Sequence, residues 1–140
     1  MTGMSDPYNR ATYPWGGEDT ALVADFQRLF TARRDRDALK RGLLRMGALG
    51  PDVFAIVRYL ENGGQTAVLL VNRSEAPQAV TLLPDTLAEG PDAAQPVVLS
   101  GAYRDVLGGQ EFIFADNAIA LTVGPLQAIF LIRGENVHVQ

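Results

Sequence analysis

The residues best suited to chemistry in this chain lie in its opening stretch, Gly3-Met4-Ser5-Asp6-Pro7-Tyr8-Asn9-Arg10-Ala11-Thr12-Tyr13-Pro14-Trp15-Gly16, which carries a carboxylate, a guanidinium, two prolines, two tyrosines and the only tryptophan of 140 residues. Neither a helical nor a strand period can be drawn through it, and its Gly, Pro, Asn and Asp are turn formers. Rigid rings beside opposite charges suit the binding of a substrate, and such loops need a scaffold to position them. That scaffold is expected upstream, so the chain reads as a piece of a longer polypeptide.

Groups that could break bonds are scarce. The single histidine, His138, sits in the tail Glu135 to Gln140, where a solvated side chain is expected, and there is no cysteine. Imidazole triads, thiolate catalysis, disulfides and Cys-based zinc sites therefore lack their residues. No phosphate-cradling Gly-rich loop with its Lys and no dinucleotide fingerprint occurs. Asn72-Arg73-Ser74 matches a glycosylation sequon, a pattern common by chance. The acids Asp85, Glu89, Asp92, Asp105, Glu111 and Asp116 fall in loops or at strand ends. Glycoside hydrolysis needs two carboxyl groups facing one bond, and nothing in their spacing brings two of these together. Each is expected to serve solubility, and no catalytic residue, metal ligand or cofactor site is assigned.

The totals narrow the partners. A net charge of -4 argues against nucleic acid, whose affinity comes from clustered Lys and Arg. The densest basic cluster, Arg33-Arg34-Asp35-Arg36 with Lys40-Arg41, is interleaved with acids and reads as a solvated helix end. No apolar run approaches the roughly 20 residues of a membrane span, so no membrane partner is expected.

Elements follow from periodicity. Leu22, Val23, Phe26, Leu29 and Phe30 recur at three- and four-residue steps, predicting one amphipathic helix over 18–40. Its apolar stripe needs a partner surface, so an uncovered helix here predicts self-association. From Gly42 the period falls to two, with a turn signal about every ten residues. Strands are predicted at Leu43 to Met46, Val53 to Leu60, Thr66 to Asn72, Gln78 to Leu83, Val97 to Ser100, Ala102 to Val106, Glu111 to Phe114, Ala118 to Val123 and Gln127 to Arg133. Asn62-Gly63 is expected to supply positive φ to a tight hairpin, Ala67 to Val71 a central strand buried on both faces, and Pro84 to Pro96 a long surface connection. Eight or nine short strands suit two packed antiparallel sheets with Greek-key connections. The fold class is thus mainly β, a sandwich preceded by a loop and one helix.

The opening residues also carry a family resemblance. Gly3, Asp6-Pro7-Tyr8-Asn9-Arg10 and Tyr13-Pro14-Trp15 resemble the loop after the last barrel strand of alpha-amylase family glycoside hydrolases, most of all the neopullulanase, cyclomaltodextrinase and maltogenic amylase branch. Phe26-Gln27-Arg28-Leu29-Phe30, Ala32-Arg33-Arg34 and Ala38-Leu39 are similar to that family's final barrel helix. Val71-Asn72, Tyr103 to Gly109 and Ala118 to Ile132 look like strands of its C-terminal sandwich. The resemblance implies residues 1–41 as the last loop and helix of a (β/α)8 barrel and 42–140 as a C-terminal β-sandwich. It implies a retaining parent enzyme acting on maltooligosaccharides, cyclodextrins or pullulan, whose catalytic carboxylates lie on barrel strands before this loop. Gly101-Ala102-Tyr103-Arg104-Asp105 departs from the family's nucleophile pattern, having Arg and Asp adjacent, and is set aside.

Carried over residue by residue, Asp6 and Arg10 match positions that contact glucose hydroxyls on the donor side. A carboxylate accepts from vicinal hydroxyls, and a guanidinium fork both donates to sugar oxygens and can hold the carboxylate; the alternative is that the two simply brace the loop. Tyr13 and Trp15 either stack on a sugar face or pack the loop against the barrel. The chain alone is expected to be structural and inactive, with α-glucan a partner only in the intact enzyme. The residues leave the compartment open, and the resemblance leans to the cytoplasm. Two other readings remain: an autonomous starch-binding module, for which Tyr59, Tyr103 and Phe112 are the aromatic candidates, and an interaction domain that dimerises through its helix.

Overall fold

The computed structural model describes Asp6 and residues 11–134. Two helices come first, α1 at Thr20–Arg34 and α2 at Asp37–Arg41, followed by strands β1 at Leu43–Leu49, β2 at Val53–Tyr59, β3 at Thr66–Asn72, β4 at Gln78–Leu82, β5 at Gly101–Asp105, β6 at Glu111–Phe114, β7 at Ile119–Val123 and β8 at Ala128–Arg133. Strands β1-β2-β3-β8-β5-β6 form one six-stranded sheet and β4-β7 a two-stranded one. Every pairing is antiparallel. The last strand enters between β3 and β5, so strands far apart in sequence become neighbours, as in Greek-key sandwiches.

Alternation sets the core. Along β2, Val53, Ala55, Val57 and Tyr59 turn inward while Phe54 is exposed, because successive side chains of a strand point to opposite faces. Val68 and Leu70 of β3, Leu82 of β4, Ile119 and Val123 of β7 and Leu131 of β8 meet them, all fully buried. Each such Leu, Ile or Val contributes about 1.5–3 kcal/mol on burial.

The structure corrects several sequence expectations. The single helix over 18–40 is two. Asp35 closes α1, its N–H bonding to the carbonyls of Thr31 and Arg33, and Arg36 is extended at φ -131° before α2 restarts the turn. Strand β1 runs three residues beyond Met46, to Leu49. In the hairpin between β2 and β3, Gly63 has positive φ and Asn62 does not; the Asn62 side chain instead accepts from the Gly64 N–H at 2.9 Å. The central strand β3 buries its inner face fully, but Val71 on the other face is 38% exposed. Val97 to Ser100 is no strand. Val97 and Leu99 are buried, yet the segment is held by side chains: Asn117 Oδ1 accepts from the Leu99 N–H, its Nδ2 donates to the Val97 carbonyl, and Arg133 Nη2 donates to that of Val98.

The connection Pro84 to Pro96 is less superficial than expected. It carries a 3-10 turn at Pro84–Thr86, buries Leu87 completely and bridges Met46 to Glu89, covering the free edge of β1. Arg45, buried in β1, holds it: Nε donates to the Leu87 carbonyl, Nη1 to that of Gln95 and Nη2 to that of Pro84, at 2.9, 2.9 and 2.7 Å. A guanidinium presents its donors in a fixed fork, so one side chain fixes three points of the loop. Gly47 permits the close approach, since a Cβ there would lie 1.8 Å from the Thr86 carbonyl oxygen.

Candidate functional site

The described part of the opening loop is open to solvent. Asp6 is exposed, while Arg10 lies outside the described residues, as do Gly3, Pro7, Tyr8 and Asn9 of the same motif. Tyr13 and Trp15 meet edge to face with ring centroids 4.7 Å apart, and Trp15 keeps 85% of its surface exposed. The Trp15 N–H donates to the Tyr13 carbonyl and that of Gly17 to Pro14, so the rings stand on a tight turn ahead of α1. Asp19 caps that helix, its Oδ1 accepting from the Leu22 N–H at 3.0 Å.

An open groove of about 910 Å³ lies between α1 and the outer face of β5, β6 and β8. Arg28, Asp35 and Arg36 line its helical side; Arg104, Glu111 and Phe112 line its sheet side. Arg28 pairs with Asp25, and Arg36 donates to the Gly134 carbonyl at 2.6 Å. Burial lowers the Arg36 guanidinium from its ordinary value, with the charge of Asp35 acting against it. Asp35 itself is held below the usual carboxylate range by its hydrogen bond from Arg34. At the floor, burial pushes the Tyr103 phenol up, opposed by Arg133, whose guanidinium lies 5.8 Å from the ring centre. The groove offers mixed donors, acceptors and an apolar wall, and the carboxylate on its helical side, Asp35, is paired with Arg34 at 2.8 Å.

The acids have other work. Asp105, expected as a solubilising residue, is 5% exposed and structural. Its Oδ1 accepts from the N–H groups of Leu107 and Phe130, each at 3.1 Å, and its Oδ2 from that of Gly108 at 2.9 Å. Asp92 accepts from the Leu44 N–H at 2.7 Å, tying the long connection to β1. Asp37 is held low by hydrogen bonds from Lys40 and Arg41. Among the described residues no group of three or more His, Asp or Glu could hold a metal ion, and no helix is long and apolar enough to cross a membrane.

The aromatic candidates for a sugar platform point the wrong way. Tyr59 and Tyr103 are each 2% exposed, and Phe112 is half-buried, stacked on Phe114 with centroids 5.7 Å apart. The sequon Asn72 is 1% exposed, which removes it as a glycosylation acceptor in the folded chain. Sequence reasoning missed Asp105, Asn72 and Arg45. Their signals were a lone polar side chain closing or interrupting an apolar strand, followed in the first two by turn residues.

No family model matches the chain. In sequence it is 29% identical over 148 residues to an amylopullulanase from Thermoanaerobacter thermohydrosulfuricus, covering 98% of this chain, and 29% identical over 145 residues to an amylopullulanase from Thermoanaerobacterium saccharolyticum, covering 96%. These likenesses are consistent with a fragment of an alpha-amylase family enzyme. It spans 9% and 11% of the length of those two relatives. In fold it matches an Anoxybacillus alpha-amylase with a TM-score of 0.73 at 19% identity, over 99% of this chain and 28% of that one. The alpha-amylase match covers helices and sandwich together, as a C-terminal β-sandwich with its preceding helix would.

Proposed function

We propose that this chain is the non-catalytic C-terminal part of an α-glucan-hydrolysing enzyme, in which residues 1–41 supply the last loop and helix of the barrel and 42–140 a supporting sandwich. The observation that carries the reading is the sequence likeness to amylopullulanases over nearly the whole chain, matched to only about a tenth of their length. The engagement of Asp105, Asp92 and Asp37 by backbone N–H groups or cations supports it, since these acids stabilise the fold and are not poised for proton transfer.

Within the enzyme, Asp6 and Arg10 reach glucose hydroxyls on the donor side, and Trp15 with Tyr13 borders the same cleft. Maltooligosaccharides, cyclodextrins and pullulan are the substrate class. The sandwich's task is to cover one side of the barrel. Its inward Tyr59 and Tyr103 speak for support over sugar capture.

Calorimetric titration of the 140-residue chain with β-cyclodextrin and with maltoheptaose tests this reading against a starch-binding module. No saturable heat is expected up to about 10 mM, which corresponds to less than ~3 kcal/mol of binding. Saturation at millimolar or tighter concentration would establish the module instead.

A further inference from the structure

The two helices differ in what holds them. Helix α1 has 15 residues yet buries only Ala32, and among the described residues none of its side chains hydrogen-bonds to a strand. From Ala24 to Asp35 the open groove lies between it and the sheet. A helix of about 15 residues that gains little from packing is marginal in water, because its nucleus is costly and each later residue adds one bond.

Helix α2 is the reverse case. Its five residues cannot hold a helix unaided, but they pack against β2 and β3. Ala38 is 1% exposed, and its N–H donates at 3.1 Å to Oε1 of Gln65, itself buried. The Gly42 N–H closes the helix on the Ala38 carbonyl at 3.0 Å, and the Gly42 carbonyl accepts from Arg58 of β2 at 2.7 Å. Both ends of α2 are thus fastened to the β2–β3 hairpin. Between the helices lie only Asp35 and the extended Arg36, whose Nη1 donates to the Gly134 carbonyl just past β8. Arg33 reaches across these two residues to the Leu39 carbonyl, in a bond exposed to water.

We infer that α2 is a strap of the sandwich, closing the end of the β2–β3 hairpin, and that α1 turns about the two-residue joint Asp35–Arg36, which Arg36 moors to the end of β8. Hinges are a few element-terminal residues that absorb the change in φ and ψ, and a single extended residue between two helices is such a place. The inference stands on contacts within this chain and does not rest on the enzymatic reading, which it refines by moving the boundary from 41–42 back to the joint. A barrel carried on α1 would change its angle to the sandwich there without unfastening α2.

Amide hydrogen exchange of the 140-residue chain, followed by NMR, tests it. The N–H groups of Ala38 and Gly42 are expected to exchange within about tenfold of those of Val57 and Val68, since they open with the sandwich, and those of Phe26 and Arg28 at least about 100-fold faster. Gln65→Ala should speed Ala38 and Gly42 by more than about tenfold relative to Val57, because the strap loses its anchor. Ala24→Pro breaks α1 and should leave the urea midpoint of the sandwich within about 0.3 M of wild type. Residual dipolar couplings of α2 should share one alignment with the strands, and those of α1 should not. Ala38 and Gly42 as fast as Phe26, Phe26 as slow as Val57, no response to Gln65→Ala, a larger midpoint shift on Ala24→Pro, or one alignment common to α1 and the strands would each overturn the inference.

Discussion

Replacing Asp105 with alanine is expected to remove roughly 3–5 kcal/mol of folding stability, because three backbone N–H groups lose a charged acceptor at once and stay buried. The carboxylate closes β5 and organises the turn to β6: the Asp105 carbonyl accepts from the Gly109 N–H, its own N–H donates to the Gln110 carbonyl, and its side chain takes the N–H groups of Leu107 and Gly108. The Phe130 N–H reaches the same carboxylate from β8, so the side chain also joins the turn to the sheet. Asparagine should do less harm. Its one carbonyl oxygen can keep Leu107 and Phe130, whereas its amide would face the Gly108 N–H as donor against donor, a loss of about 1–2 kcal/mol. Urea unfolding of the three proteins followed by circular dichroism measures both, and an alanine variant within ~1 kcal/mol of wild type would remove Asp105 from the structural role given to it.

Asn72 should rank beside it. At the end of β3 its Nδ2 donates to the carbonyls of Ala76 and Gly124, both at 2.8 Å, and lies 3.3 Å from that of Val123. Its Oδ1 accepts from the N–H and hydroxyl of Ser74, both at 2.9 Å. These contacts run from the six-stranded sheet to the segment entering β4 and to the end of β7, so one amide ties the two sheets together. Asn72→Ala should cost about 3 kcal/mol, and Asn72→Asp at least as much, since a carboxylate would face carbonyl oxygens with nothing to donate. The same unfolding measurement checks both, and an aspartate variant as stable as wild type would show that the donor side of this network is dispensable.

How much of this was legible depended on whether a signal was local. Strand β3 was readable to the residue because Thr66 to Asn72 is a run of β formers bounded by turn residues. The Asp116-Asn117 turn was also legible, and both residues take positive φ of 54°. The break at Asp35-Arg36 was not, because the apolar spacing continues through it and the stop is set by where Ala38 packs, its N–H donating to the Gln65 side chain. Val97 to Ser100 has a strand's alternation yet no ladder partner, since the side chain of Asn117 occupies that role from 20 residues away. Asp105 and Arg45 look in sequence like surface charges; only the fold shows that carbonyls and N–H groups converge on them. Of the site expected from the opening motif, Tyr13 and Trp15 are placed together and Asp6 is exposed, while Arg10 falls outside the described residues.

The decisive measurement is sugar release by the purified 140-residue chain incubated with maltoheptaose, β-cyclodextrin and pullulan, followed by reducing-end assay and chromatography of the products. A chain whose acids brace a fold should give no product above buffer at any pH between about 4 and 8. Turnover that rises in proportion to the chain's concentration and disappears on substitution of one of its own carboxylates would contradict the non-catalytic reading outright.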